Sequence, residues 1–241
     1  MADAIFDDER LAQVYDPFNA DRSDLVAYAE LVAELGGGSV LDVGCGTGTF
    51  ACLLAGRGVT VTGVDPAAAS LEVARAKPFA DRVRWVHGDA TTLPPLQVDV
   101  ATMTANVAQV FLTDADWLAT LHGVHAALRP RGRLLFETRV PERRAWEEWD
   151  RAHTHARADV PGVGGVERWC DLLDVTGDLV SFRWSFAFDA DGAVLTSDST
   201  LRFRGREELE ASLAEADLVV EDVREAPDRP GREWVFVARR S

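Results

Sequence analysis

Residues 40 to 50, Val40-Leu41-Asp42-Val43-Gly44-Cys45-Gly46-Thr47-Gly48-Thr49-Phe50, restrict what this chain can fold into more than any other stretch. An apolar run of strand length ends in glycines spaced two apart, and a helical pattern follows. Such a turn strips the backbone of side chains. A flat or charged ligand can then reach bare peptide groups and the positive end of the next helix. A second apolar run, Val59-Thr60-Val61-Thr62-Gly63-Val64, ends in Asp65. Open α/β sheets place a carboxylate at that point to accept hydrogen bonds from ribose hydroxyls. Together the two signals predict a parallel sheet that holds a nucleoside-bearing ligand.

The glycine spacing narrows the ligand. A dinucleotide fingerprint reads G-x-G-x-x-G or A, with its third small residue where Thr49 stands here. This chain has Gly44, Gly46 and Gly48, preceded by Asp42. A pyrophosphate wants donors and no carboxylate, whereas an amino-acid ammonium is stabilised by one. Asp42 through Gly48 closely resembles the first motif of class I S-adenosylmethionine-dependent methyltransferases. Asp65 and His87-Gly88-Asp89-Ala90 continue that resemblance in order, and it covers residues 35 to 140 well and the remainder more loosely.

The resemblance implies S-adenosyl-L-methionine as cofactor, S-adenosyl-L-homocysteine as product, and a Rossmann-like, doubly wound, seven-stranded, mostly parallel sheet. It implies site residues as well. Asp42 serves the methionine ammonium through water or the turn amides. Gly44, Cys45 and Gly46 form the bare turn, and Gly48 lets the helix pack close to it. Asp65 takes the ribose, with Pro66 opening the next helix. Asp89 accepts from the adenine amino group, and Ala90 supplies a backbone donor, with a plain surface turn at His87-Gly88-Asp89 as the alternative. Tyr15 and Phe18 resemble the family's N-terminal aromatic segment that closes over the cofactor, with packing onto the core as the rival role.

Length and composition fit one large domain: 241 residues, of which 47% are apolar, supply a sizeable core. No apolar run is long enough to span a bilayer, and the acidic N-terminus, Met1 to Asp8, is unlike a signal peptide. Cys45, Cys52 and Cys170 are too few and scattered for a disulfide framework or zinc site, so a cytoplasmic location with reduced thiols is expected. A formal net charge of -15 argues against nucleic-acid partners, which are bound through clustered Lys and Arg. Lys77 is the single lysine, and Arg129-Pro130-Arg131-Gly132-Arg133 reads as a solvated turn.

Along the chain, helices and strands alternate as in a parallel sheet covered on both faces. Residues 1–140 are expected to form an N-terminal helical cap and the cofactor-binding core. Residues 205–241 add a helix and a strand hairpin that complete the sheet. Residues 141–204 break the alternation. Phe182, Trp184, Phe186 and Phe188 share one face of a strand, with Ser181, Arg183, Ser185 and Ala187 on the other. Three antiparallel strands are expected, near 166 to 175, 179 to 188 and 193 to 204. This insert is expected to lie with its aromatic face over the cofactor edge of the main sheet, as a lid, with the packing of a hydrophobic edge or a dimer contact as the alternative.

Methyl transfer from a sulfonium asks the protein to align nucleophile and methyl group and to exclude water. A base is needed only for a protonated acceptor. His153, His155 and Glu137 are the candidates for that role. Arg139 either pairs with Glu137 or meets an acidic substrate. Asn106 follows the fourth strand and either orients the methionine moiety or acceptor or caps its loop. Thr104-Ala105-Asn106-Val107 departs from the D/N-P-P-Y/F/W element of enzymes that methylate nucleic-acid bases or glutamine amides. His153-x-His155 lacks a third ligand for a metal. The expected acceptor is therefore a small soluble metabolite. A protein or peptide acceptor, a non-catalytic S-adenosylmethionine-binding partner protein, and more distantly a nucleotide-dependent oxidoreductase stand as alternatives. The sequence leaves monomer and homodimer equally open.

Overall fold

The computed structural model describes residues 2–241; residue 1, the first of the acidic stretch read above, lies outside them. The chain opens with short helices broken where capping and proline dictate. After α1 (Ala4–Asp7), Asp8 accepts from the amides of Arg10 and Leu11 and starts α2 (Glu9–Tyr15). Pro17 then restricts the chain to one 3-10 turn, Pro17–Asn19, before α3 (Asp24–Glu34).

The alternation that follows is β1 (Ser39–Val43), α4 (Thr49–Gly56), β2 (Thr60–Asp65), α5 (Ala68–Arg75), β3 (Val83–His87), β4 (Val98–Met103), α6 (Asp114–Ala127) and β5 (Leu128–Arg139). After an insert come α8 (Arg206–Glu215), β10 (Leu218–Glu225) and β11 (Glu233–Arg240). The sheet order is β10-β11-β5-β4-β1-β2-β3. The strands β3, β2, β1, β4 and β5 run parallel, and β11 lies antiparallel between β10 and β5. One core packs α6 and α8 on one face of the sheet, and a second packs α3 and α4 on the other. Strand order reverses between β1 and β4, so the crevice at the carboxyl ends of these two strands is where such a sheet takes a ligand.

The insert contains α7 (Arg151–Thr154) and a four-stranded antiparallel sheet of β6 (Ala156–Val160), β7 (Gly164–Thr176), β8 (Leu179–Phe188) and β9 (Val194–Arg202). It corrects the three-strand expectation. The additional strand, β6, alternates alanine with charged residues, so its apolar signal was too weak to read. The direction of the aromatic face needs correction too. Phe186 and Phe188 pack with Ile5, Leu11, Val14, Val160 and Val166, which makes the N-terminal helices the cover of this face. Phe182 instead meets Trp149 edge to face. The N-terminal segment is thus held between the insert and α5, where Ser70 Oγ donates to the Phe6 carbonyl at 2.7 Å. Among the described residues, no helix is long and apolar enough to cross a membrane.

Candidate functional site

A cavity of about 950 Å³ opens at the carboxyl ends of β1, β2 and β4 and extends under the insert. Its volume lies at the upper end of the range for small-molecule sites, enough for two ligands side by side. The glycine turn forms its floor. Gly44 and Cys45 donate their amides to the Val64 carbonyl at 2.9 and 3.2 Å, and Gly48 donates to Cys45 at 2.8 Å. Gly46 donates to Asp65 Oδ2 at 2.7 Å. These four amides are spent on the protein itself.

Each glycine has its own reason. Gly44, Gly46 and Gly48 all adopt positive φ. A Cβ at Gly48 would lie 2.5 Å from Trp85 Cη2, so helix packing requires glycine there. At Gly46 the same Cβ would meet nothing within 4 Å, so the turn presents open backbone at this residue. Asp42, fully buried, accepts from Thr102 Oγ1 at 2.8 Å. Burial pushes its carboxyl up to about 7 despite that bond. Asp65 is also raised by burial, against the two amides of Ala67 and Gly46 that it accepts. Asp89 is exposed; burial there is outweighed by donors from Thr91 and Thr92, which hold the carboxyl below its ordinary value.

The N-terminal segment is fastened over this floor. Asp16 Oδ1 accepts from Thr47 Oγ1 at 2.6 Å, and Lys77 Nζ reaches Asp16 at 2.5 Å, the Thr47 carbonyl at 2.6 Å and Thr49 Oγ1 at 2.8 Å. The single lysine of the chain therefore ties the residue after Tyr15 to the glycine turn.

Of the residues singled out from sequence, the structure places Tyr15, Asp42, Gly44, Cys45, Gly46, Asp65, Pro66 and Asp89 on the cavity wall. The others lie elsewhere. Ala90 is buried in the α6 core, its carbonyl under Gly123. Asn106 turns its amide toward Glu233 rather than the cavity. Glu137 is buried under the loop after β4, where Tyr28 and the Ala105 amide donate to it. Burial raises it to about 7, with Glu233 adding to the shift and the Tyr28 bond opposing it. Arg139 sits at the same strand end, bonded to Gln109 and 3.8 Å from Glu233. His153 and His155 are exposed on the insert, against Asp150 and Glu167, and neither lines the cavity. Their proximity in sequence to the insert junction misled, because both side chains lie on the surface.

Sequence reasoning missed the rest of the wall. Arg22 is the one cation among the lining residues, and it acts favourably on buried Asp42. Asp116 from α6, Val110 and Leu112 ahead of it, and Leu173, Ser181 and Asp198 from the insert complete the outer part. No local pattern marks these residues, because they converge from segments far apart in the chain. In all, six aspartates (Asp3, Asp42, Asp65, Asp89, Asp116 and Asp198) face one arginine.

Residues 40–132 match a family model described as a methyltransferase domain. A cypemycin N-terminal methyltransferase from Streptomyces is 32% identical over 162 residues, 66% of this chain and 64% of that protein. A ubiquinone biosynthesis O-methyltransferase from Klebsiella pneumoniae is 33% identical over 123 residues, 49% of each. The chain thus spans less than two thirds of the length of either relative. Among solved structures, an amino pentose methyltransferase from Micromonospora echinaspora involved in calicheamicin biosynthesis, with S-adenosylmethionine bound, superposes with a TM-score of 0.73. It is 25% identical, and the match covers 92% of this chain and 93% of that one.

Proposed function

The chain belongs to the class I S-adenosylmethionine-dependent methyltransferases, and from that premise we propose that it methylates an amine of a small soluble metabolite. The observation that carries this reading is the charge of the cavity, six aspartates against one arginine in a space sized for two ligands. The cofactor's ammonium and sulfonium are cationic, and so is a protonated amine acceptor. A low-dielectric cleft rich in carboxylates concentrates such molecules. Two of the similar proteins support the acceptor class, since one is named for an N-terminus and the other for an amino pentose.

The residues present fit the cofactor. Gly46 offers open backbone and Asp42 lies ready for an ammonium, while Arg22 on the same wall donates its Nε and Nη2 to Asp24. Each Asp65 oxygen accepts one amide and keeps a lone pair for a ribose hydroxyl. One Asp89 oxygen accepts the Thr91 amide and hydroxyl, which orients the other for the adenine amino group. When bound, the cofactor supplies an electrophilic methyl group on a positively charged sulfur. Tyr15 and the insert shield the space from water, and the wall aligns the acceptor nitrogen. No histidine, lysine or glutamate is among the lining residues, so the amine loses its proton to water or to a rim carboxylate before transfer. Exposed Val110, Leu112 and Leu173 at the mouth suit an acceptor whose amine is carried on an apolar body, a peptide amine being the second reading.

The experiment has two stages. Titration calorimetry compares S-adenosylmethionine with NAD, and homocysteine-product release is then followed over a library of amines, alcohols and thiols. Preference for NAD would sink the cofactor assignment, and turnover with alcohols or thiols alone would sink the amine. Tight cofactor binding without turnover of any acceptor would favour a binding protein instead.

A further inference from the structure

The loop after β4 holds an uncommon backbone at the cavity wall. Ala105 and Asn106 are consecutive non-glycine residues at φ +55° and +61°. Asparagine tolerates the left-handed region through its short polar side chain, but alanine meets the full clash between Cβ and the following carbonyl. Such a conformation persists where its surroundings over-determine it. Two buried carboxylates do so here. Glu137 of β5 accepts from the Ala105 amide with one oxygen and from the Tyr28 hydroxyl with the other. Glu233 of β11 accepts from Asn106 Nδ2 at 3.2 Å and from Arg229 Nη1 at 2.8 Å.

The effect reaches the glycine turn one residue later. Val107 stands against Gly44, so closely that a Cβ on Gly44 would lie 2.7 Å from Val107 Cγ2. Neither carboxylate lines the cavity, whereas Thr104, Ala105 and Val107 do. A continuous chain of contacts therefore runs from Tyr28 and Glu137 through Ala105 and Val107 to Gly44.

We propose that Glu137 is a positioning residue for cofactor binding: it holds Ala105 in the left-handed region, with Glu233 securing Asn106, so that Val107 braces Gly44 and the turn keeps its binding shape. The inference rests on the cofactor assignment above. Glu137 acts through an acceptor oxygen rather than through its charge. Glutamine can therefore replace it, its amide oxygen accepting from Ala105 while its NH2 donates to the Tyr28 oxygen; leucine cannot.

The test is the dissociation constant for S-adenosylmethionine, measured by calorimetry on the full chain, with thermal unfolding as a control for folding. Glu137→Leu fills the volume without an acceptor and is expected to weaken binding ~10-fold, the scale of one strained backbone residue. Glu137→Gln is expected to stay within ~3-fold of the unaltered chain. Adding Ala105→Gly to Glu137→Leu restores affinity to within ~3-fold, because glycine adopts positive φ freely. Val107→Ala, at a half-buried position, reads the same link from its far end and is expected to weaken binding by ~3-fold or more. Unchanged affinity in Glu137→Leu, or no recovery with Ala105→Gly, overturns the proposal. Should Glu137→Leu not fold, unchanged affinity in Val107→Ala overturns it and weakened affinity supports it. An unaltered chain that binds no S-adenosylmethionine overturns the cofactor assignment instead, before any variant is compared.

Discussion

Asp42 carries a carboxyl that burial pushes up to about 7, in a cavity assigned to a cationic ligand. An arriving ammonium favours the ionised form, so binding below about pH 7 releases a proton. Affinity for S-adenosylmethionine is expected to rise with pH up to about 7 and then level off, and calorimetry at pH 6 in buffers of different ionisation enthalpy measures the proton. Asp42→Asn should abolish that dependence. The sign for stability is opposite. Between the ordinary carboxyl value of 3.8 and about 7, the folded chain keeps a proton that the unfolded chain has lost, so the ligand-free protein loses stability as pH rises through this window. The unfolding temperature of Asp42→Asn should therefore gain on that of the unaltered chain as pH increases. Asp65 makes a different contribution, since its oxygens are held by amides and aimed at the cavity. Asp65→Ala is expected to weaken cofactor binding by about 1.5–3 kcal/mol, the range for lost charge-assisted hydrogen bonds. A folded variant with unchanged affinity would remove Asp65 from the site.

The insert and the N-terminal helices act as one unit. The period-two pattern of β8 predicted an aromatic face in need of a cover, and the cover is α1 and α2 rather than the main sheet. Ile5 donates its amide to Ser197 Oγ at 2.9 Å, and Arg10 lies over the Phe188 ring, 3.8 Å from its centroid, while bridging to Asp191. The insert therefore shapes the cavity directly, through Leu173, Ser181 and Asp198, and also through Tyr15, which these helices present to it. Phe186→Ala should destabilise the fold by about 3–5 kcal/mol, the cost of truncating a buried aromatic. Urea unfolding measures that loss, and cofactor affinity should fall with it as Tyr15 loosens. Full affinity in a chain so destabilised would show that the N-terminal segment holds the cavity without help from the insert. The strands and helices of the core were legible because each buries a face with its own period. β6 was not, since alanine and charge alternate along it and leave little apolar contrast.

Across the whole molecule the acidic balance has two consequences. A net charge of -15 repels phosphate backbones, and it also strains the compact state through self-repulsion. Ion pairs on the surface are numerous, but exposed pairs contribute little each and are screened along with the repulsion. Repulsion has the larger claim. Raising sodium chloride from about 0.02 to about 0.5 M is expected to raise the unfolding temperature by ~2–4 °C, readable by calorimetry. A fall would mean that the surface pairs outweigh the net charge.

The sequence by itself determined the strand–turn–helix at residues 40 to 50 and the carboxylates at the strand ends, because each is written within about ten residues by sterics and hydrophobic period. Tertiary structure alone decided that Arg22, Asp116 and Leu173 share a wall with Asp42, and that Glu137 supports a loop instead of facing a substrate. The reason is physical. A parallel sheet brings strand ends together only after its helices pack, so neighbours across the crevice are set by the packing of the whole core, with no trace in the spacing of residues along the chain.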